Sequence, residues 1–275
     1  MTVLVTGARG DVGGAVLAGL AAAGEPVRAS SRAPRPGEFP AGVEVARADL
    51  ADPASWPAAL AGVRKVFLYA HPEGAAEFAA AARKAGVEHV VLLSSSTVLY
   101  PDAAASPIAL RHLAAERALD EAGLDRTFVR PGYYATNALR WWQSIRTGRV
   151  LRTAFPGAVT SPVHERDIAQ VAVRALLDDT QRGTACPVLG AGPVTVREQV
   201  AAIAAALGEP MRLEQVDVGT YRAQLLTQLP GPIVEGVLQD RGSVPPLPAD
   251  AVPEILGRPP LTFAEWARDH AADFR

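Results

Sequence analysis

Six short runs of apolar and β-branched residues recur through the first 131 residues, and alanine-rich stretches of helical length lie between most of them. The runs are Val3–Val5, Val27–Ser31, Val43–Val45, Val66–Tyr69, His89–Leu93 and Thr127–Val129. Helices are expected over Asp11–Ala23, Asp52–Leu60, Glu73–Ala85 and Ser106–Ala122, with Gly24, Gly86 and Gly123 as stops. Strands separated by helices pair in parallel, because a parallel neighbour can only be reached by a crossover. Right-handed crossovers wind the helices onto both faces, so the expected fold is α/β with a doubly wound parallel sheet. Such a sheet places its ligand site at the carboxyl ends of the strands.

After Pro131 the rhythm changes. Helices are expected over Tyr133–Gly148 and Glu165–Leu177, and Ala185–Leu189 as a further strand of the main sheet. Thr195-Val196-Arg197-Glu198 and Thr262-Phe263-Ala264-Glu265 read as capping boxes. Many of the 23 prolines fall between 230 and 260, where irregular packing over the sheet edge is expected. Residues 1–132 are therefore read as a nucleotide-binding core. Residues 133–275 are read as a mixed segment, with a small substrate lobe and elements that return to the core.

Composition narrows the function. At 275 residues and 49% hydrophobic, the chain can bury a sizeable core. A net charge of -2 provides no basic field for nucleic acid or anionic membrane. No apolar run is long enough to span a bilayer, and the first residues do not read as a leader. Cys186 is the only cysteine, which excludes an internal disulfide, and no spacing points to a metal site. The expectation is a cytoplasmic monomer or homodimer acting on a small molecule.

Thr6-Gly7-Ala8-Arg9-Gly10-Asp11-Val12-Gly13 joins the first strand to the first helix. Glycines at this spacing suit a tight turn, close backbone approach to a pyrophosphate, and helix-on-strand packing. Thr6, Gly7, Arg9, Gly10, Asp11, Val12 and Gly13 are thus candidate cofactor residues. The second strand ends Ser30-Ser31-Arg32 without the acid that would hold an unphosphorylated ribose. Ser31 and the Arg32 guanidinium suit the 2′-phosphate of NADP(H) instead. Arg9 is placed to stack on the adenine or to add a second charge. Asp49-Leu50 follows the third strand, where Asp49 either meets the adenine amino group or serves a turn. Tyr69, Ala70 and His71 end the fourth strand and line the cleft; Ser94, Ser95 and Ser96 end the fifth, where the nicotinamide is expected.

Together with Phe128-Val129-Arg130-Pro131-Gly132-Tyr133-Tyr134, Asn137, and Ser161 to Ala169, these features resemble the short-chain dehydrogenase/reductase superfamily. The resemblance is to its atypical NmrA-like branch, which includes quinone-oxidoreductase-like enzymes, and it spans nearly the whole chain. It implies a Rossmann domain with a small C-terminal lobe and NADP(H) in the cleft, with Pro131 and Tyr133 beside the cofactor. Typical members carry Tyr-x-x-x-Lys, and no tyrosine here has a lysine four residues on. By spacing to Glu116, Ile108 takes the tyrosine position and His112 the lysine position. His112 is then expected to hold the ribose and to donate a proton near neutral pH, the alternative being an ordinary helix-surface histidine. Ser95 and Tyr133 are the other catalytic candidates; Ser96, Tyr134, Asn137 and Trp141 are assigned to the substrate pocket. The expected activity is NADPH-dependent reduction of a small planar conjugated carbonyl such as a quinone. The alternatives are a non-enzymatic NADP-binding redox sensor, or a biosynthetic reductase, isomerase or epimerase.

Overall fold

The computed structural model describes residues 2–69, 73–239 and 250–275. In chain order it begins with β1 (Thr2–Val5), α1 (Asp11–Ala22), β2 (Val27–Ser31), β3 (Glu44–Arg47) and α2 (Trp56–Ala59). It continues with β4 (Val63–Tyr69), α3 (Ala75–Ala85), β5 (His89–Leu93), α4 (Pro107–Glu121) and β6 (Arg126–Pro131). The later elements are α5 (Trp142–Gly148), β7 (Val150–Thr153), β8 (Val159–Thr160), α6 (Glu165–Leu177) and β9 (Ala185–Val188). Then come β10 (Val194–Thr195), α7 (Val196–Leu207), β11 (Arg212–Gln215), α8 (Val218–Leu226), α9 (Gly231–Gln239), α10 (Ala251–Leu256) and α11 (Phe263–Asp269).

The chain divides into two units. The first comprises Met1–Gly132, Glu165–Val188 and Leu247–Arg258. Among its described residues seven parallel strands form one sheet in the order β3-β2-β1-β4-β5-β6-β9. This is the doubly wound α/β sheet that the alternating pattern predicts. The strands are nearly continuous apolar runs because both faces are covered. On one face Leu4, Val66, Val90, Leu92 and Phe128 pack against Trp56, Leu60, Phe78, Ala82 and Leu119 of the α2, α3 and α4 region. Trp56 and Phe78 meet edge to face at 4.9 Å. On the other face α1 packs on α6, closely enough that a Cβ on Gly19 would lie 3.0 Å from Val173.

The second unit comprises Tyr133–His164, Leu189–Pro246 and Pro259–Arg275. Its core gathers Ala135, Ile145, Ile203, Leu207, Phe263, Trp266 and Phe274. Both expected capping boxes form: Thr195 and Glu198 bond each other's backbone N–H, as do Thr262 and Glu265. The expected helix over 133–148 is different. Residues Ala135–Trp141 form a 3₁₀ segment, and only Trp142–Gly148 is α-helical. Helical periodicity does not distinguish bonds to the third residue from bonds to the fourth. The helix expected from Asp52 also begins as a 3₁₀ turn, with Asp52 capping Ala54 N at 3.2 Å.

At the amino-terminal edge of the sheet, away from the expected site, His89 is fully buried. Its Nε2 lies 2.9 Å from Thr127 Oγ1, and its Nδ1 has no partner among the described residues. Burial first, then the Arg182 and Lys65 charges, push its pKa from 6.5 down to about 4. The unfolded chain therefore takes up this proton before the folded one. Stability is full above about pH 6.5 and is lost as pH falls towards about 4. Urea unfolding at neutral pH and near pH 4 should show a loss of about 3 kcal/mol from this group. His89→Gln should remove that component of the pH dependence.

Candidate cofactor and active site

The glycine loop turns on Gly7, whose φ of +65° lies in the left-handed region. Gly10 donates to Gly7 O at 2.9 Å and stands as the N-cap of α1, with no side-chain cap. The first N–H groups of α1 therefore have no carbonyl a turn behind them and are available to an anion. The two remaining glycines do different work. A Cβ on Gly13 would lie 2.2 Å from Gly7 O, so this position must stay bare for the loop to close on its helix. Among the described residues a Cβ on Gly10 would meet only Gly7 O, at 3.4 Å. Val12 is buried beneath the loop, and the Asp11 side chain is exposed at the first helical position. Tyr69, 53% exposed, flanks the turn: its Cβ would lie 3.3 Å from one on Gly7.

Ser31 ends β2 with a buried hydroxyl that has no partner among the described residues. Arg32, the next residue, is exposed and makes no ion pair among them. An open glycine cradle, an uncapped twelve-residue helix and an orphaned hydroxyl beside a guanidinium fit a dinucleotide phosphate.

Several expected side chains are committed elsewhere. Arg9 forms an ion pair with Glu38 and donates to Ala33 O at 2.8 Å, so it braces the loop after β2 instead of lying free for the adenine. The Thr6 hydroxyl donates to Phe67 O at 3.1 Å and accepts from Tyr69 N at 2.7 Å, clipping β1 to β4. Asp49 Oδ1 accepts from Ala51 N at 3.1 Å, and its backbone N–H bonds Ser55 Oγ, which is the turn role. Leu50 packs against the core below it. Ala70 and His71 lie outside the described residues.

At the end of β5, Ser94 is buried and donates 2.6 Å to Glu116 Oε1, which takes its hydroxyl away from a nicotinamide. Ser95 accepts from Thr97 N at 3.2 Å and Thr97 Oγ1 at 2.9 Å. A hydroxyl with both lone pairs engaged is left with its O–H to donate. Ser96 is buried in the 3₁₀ turn that follows. Pro131 is buried at the end of β6.

His112 lies on the inward face of α4, with Ala115, Glu116 and Leu119 following at helical spacing. It is half-buried, and its Nδ1 has no hydrogen-bond partner among the described residues. Burial lowers its pKa, with Glu116 opposing and Arg111 assisting. His112 is expected to donate a proton near neutral pH, and burial works against that role by disfavouring the charged ring. One turn earlier, Ile108 is 56% exposed.

Tyr133, Tyr134, Asn137 and Trp141 belong to the second unit. Tyr133 is 36% exposed, Tyr134 bridges to Val163, and Asn137 Oδ1 accepts from Arg140 at 2.6 Å. Trp141 packs against that unit's apolar core, whereas Trp142 is the exposed member of the pair. The sequence reading missed the Glu116–Arg130 pair. Its signal was an arginine directly after the buried Phe128-Val129 at the end of β6, which calls for an acid beside it.

Comparison with known proteins decides the family. Residues 7–179 match the model of a family described as NAD(P)H-binding. The chain belongs to that NAD(P)H-binding family. Within it, the chain is 38% identical over 99% of both chains to the (4-alkanoyl-5-oxo-2,5-dihydrofuran-3-yl)methyl phosphate reductase of Streptomyces griseus subsp. griseus. It is 33% identical, again over 99% of both, to the NAD(P)H azoreductase of Xenophilus azovorans. The fold is that of triphenylmethane reductase from Citrobacter sp., solved with NADP(H), at a TM-score of 0.79 and 22% identity, covering 98% of this chain and 100% of that one. The Escherichia coli NADPH-dependent quinone oxidoreductase matches at a TM-score of 0.78 and 24% identity, covering 98% and 99%. The resemblance to atypical short-chain dehydrogenase/reductases agrees with these findings. This member of the family is an NAD(P)H-dependent oxidoreductase. Among the described residues no group of side chains could hold a metal, and no helix is long and apolar enough to cross a membrane.

Proposed function

We propose that the protein binds NADPH in preference to NADH and reduces a small planar acceptor in which a carbonyl is conjugated to a double bond, as in a quinone or an unsaturated lactone. The observation that carries this reading is the pair Ile108 and His112 on α4: an apolar side chain where a proton-donating tyrosine would stand, and a neutral imidazole one turn on. When bound, the nicotinamide supplies a hydride. The protein then has to place the acceptor and hold the oxygen that gains charge. An isolated ketone becomes a localised alkoxide and needs a strong acid. A conjugated acceptor spreads that charge, so hydrogen bonds from the Ser95 O–H and from His112 suffice. The named relatives are a furanone-phosphate reductase, an azoreductase, a triphenylmethane reductase and a quinone oxidoreductase, whose names point to conjugated substrates. Tyr133 and Tyr134 are the substrate-side residues of this reading, on sequence position. Product analysis tests it: an enone should yield the saturated carbonyl, and recovery of the allylic alcohol would contradict the assignment.

Coenzyme choice rests on Ser31 and Arg32. Arg32→Ala should weaken NADPH binding by about 1.5 to 3 kcal/mol, the range of a charge-assisted hydrogen bond, and leave NADH binding nearly unchanged. Fluorescence titration of both coenzymes against both proteins measures this. Equal wild-type affinities for the two would remove the basis of the assignment.

A further inference from the structure

One buried carboxylate on α4 collects bonds from the ends of two strands. Glu116 is 5% exposed, on the inward face of α4 and one turn after His112. It accepts from Arg130 Nε at 2.9 Å and Nη2 at 2.6 Å, at the end of β6, and from the Ser94 hydroxyl at 2.6 Å, at the end of β5. The Arg130 side chain is itself only 17% exposed. A buried pair of this kind is weak evidence for stability, because desolvation offsets much of its Coulomb attraction. Its neighbours are more telling. Ser95 follows Ser94, Pro131 follows Arg130, and His112 precedes Glu116 by one turn, so each residue of the network adjoins one assigned to the site.

We infer that Glu116, clamped by Arg130 and Ser94, is the positioning residue of His112, fixing the turn of α4 that carries the ring and presenting the ring with a negative charge. The inference rests on the reading of His112 given above. Burial makes the imidazole reluctant to protonate, and the Glu116 charge is the largest influence in the other direction; Arg111 acts against it. The segments packed on α4 bring further charged or titratable groups. Arg130 of β6 is bonded to Glu116, and Arg83 of α3 to Ala122 O beyond the far end of α4; Tyr100 and Asp102 lie in the turns ahead of it.

Glu116→Gln keeps the size of the side chain and removes its charge. The titration midpoint of His112, followed by NMR in the cofactor-free protein, should fall by about half a unit to one unit. The acidic limb of the kcat–pH profile should move the same way. A merely structural role would lower the melting temperature and leave the His112 midpoint in place. If the uncompensated Arg130 prevents folding, Glu116→Gln combined with Arg130→Met removes both charges, and the midpoint should still fall, by less. A midpoint that stays put or rises in either folded variant overturns the inference. The reading of His112 fails separately, if His112→Ala changes neither turnover nor NADPH affinity.

Discussion

Gly10→Val should weaken NADPH binding by about 100-fold or more and leave the fold intact. The backbone at Gly10 has φ -83° and ψ 165°, an extended conformation open to any residue. The first carbon of a side chain there would touch Gly7 O at 3.4 Å, an ordinary contact. No side-chain cap is lost, because glycine provides none. The free protein therefore gives up little, within the few tenths to one kcal/mol typical of N-cap changes. On the proposed placement a bound pyrophosphate reaches the free N–H groups of α1 beside Gly10, where a branched side chain would intrude. The expected loss of affinity is about 100-fold or more, equivalent to about 3 kcal/mol. Calorimetric titration with NADPH, beside circular dichroism of the same sample, measures both halves. Normal binding by a folded variant would place the pyrophosphate elsewhere. Gly13 is the contrast: a side chain 2.2 Å from Gly7 O damages the loop itself, so its substitution does not separate folding from binding.

His112→Ala at saturating NADPH should lower turnover by about 100-fold if the imidazole steadies or protonates the reduced acceptor. If it only holds the ribose, the loss appears as weaker NADPH binding with kcat preserved. Burial keeps the ring neutral through the physiological range, so activity should not collapse as pH rises through 6.5 to 8 on account of this group. Steady-state rates and coenzyme affinity, measured on the same variant, separate the two roles.

The parts of the molecule that can be read from sequence are those encoded locally. The glycine loop, the capping boxes at Thr195 and Thr262, and the alternation of strand and helix each depend on residues a few positions apart. The return of Ala185–Val188 to the sheet was legible for the same reason, as a short apolar run after a helix. What escaped was encoded across elements. Ser94, Glu116 and Arg130 are separated by 22 and 14 residues and meet only because β5, α4 and β6 are neighbours in the fold. The capture of Arg9 by Glu38 depends on how the loop after β2 folds back. Thr6 looked like part of a phosphate loop because its position in the motif is fixed, yet its hydroxyl holds two strands together. The absence of Tyr-x-x-x-Lys was visible in the sequence. That the substituted histidine is held neutral required its burial.

On the proposed reading this oxidoreductase serves conjugated acceptors because α4 carries Ile108 in place of a proton-donating tyrosine. The direct measurement is NADPH oxidation by the wild-type protein with three acceptors compared side by side: a quinone, an unsaturated lactone and a saturated ketone of similar size. Turnover of one or both conjugated compounds, with the saturated ketone inert, is the predicted result. Reduction of the saturated ketone at a comparable rate would contradict it, as would tight NADPH binding without oxidation by any of the three.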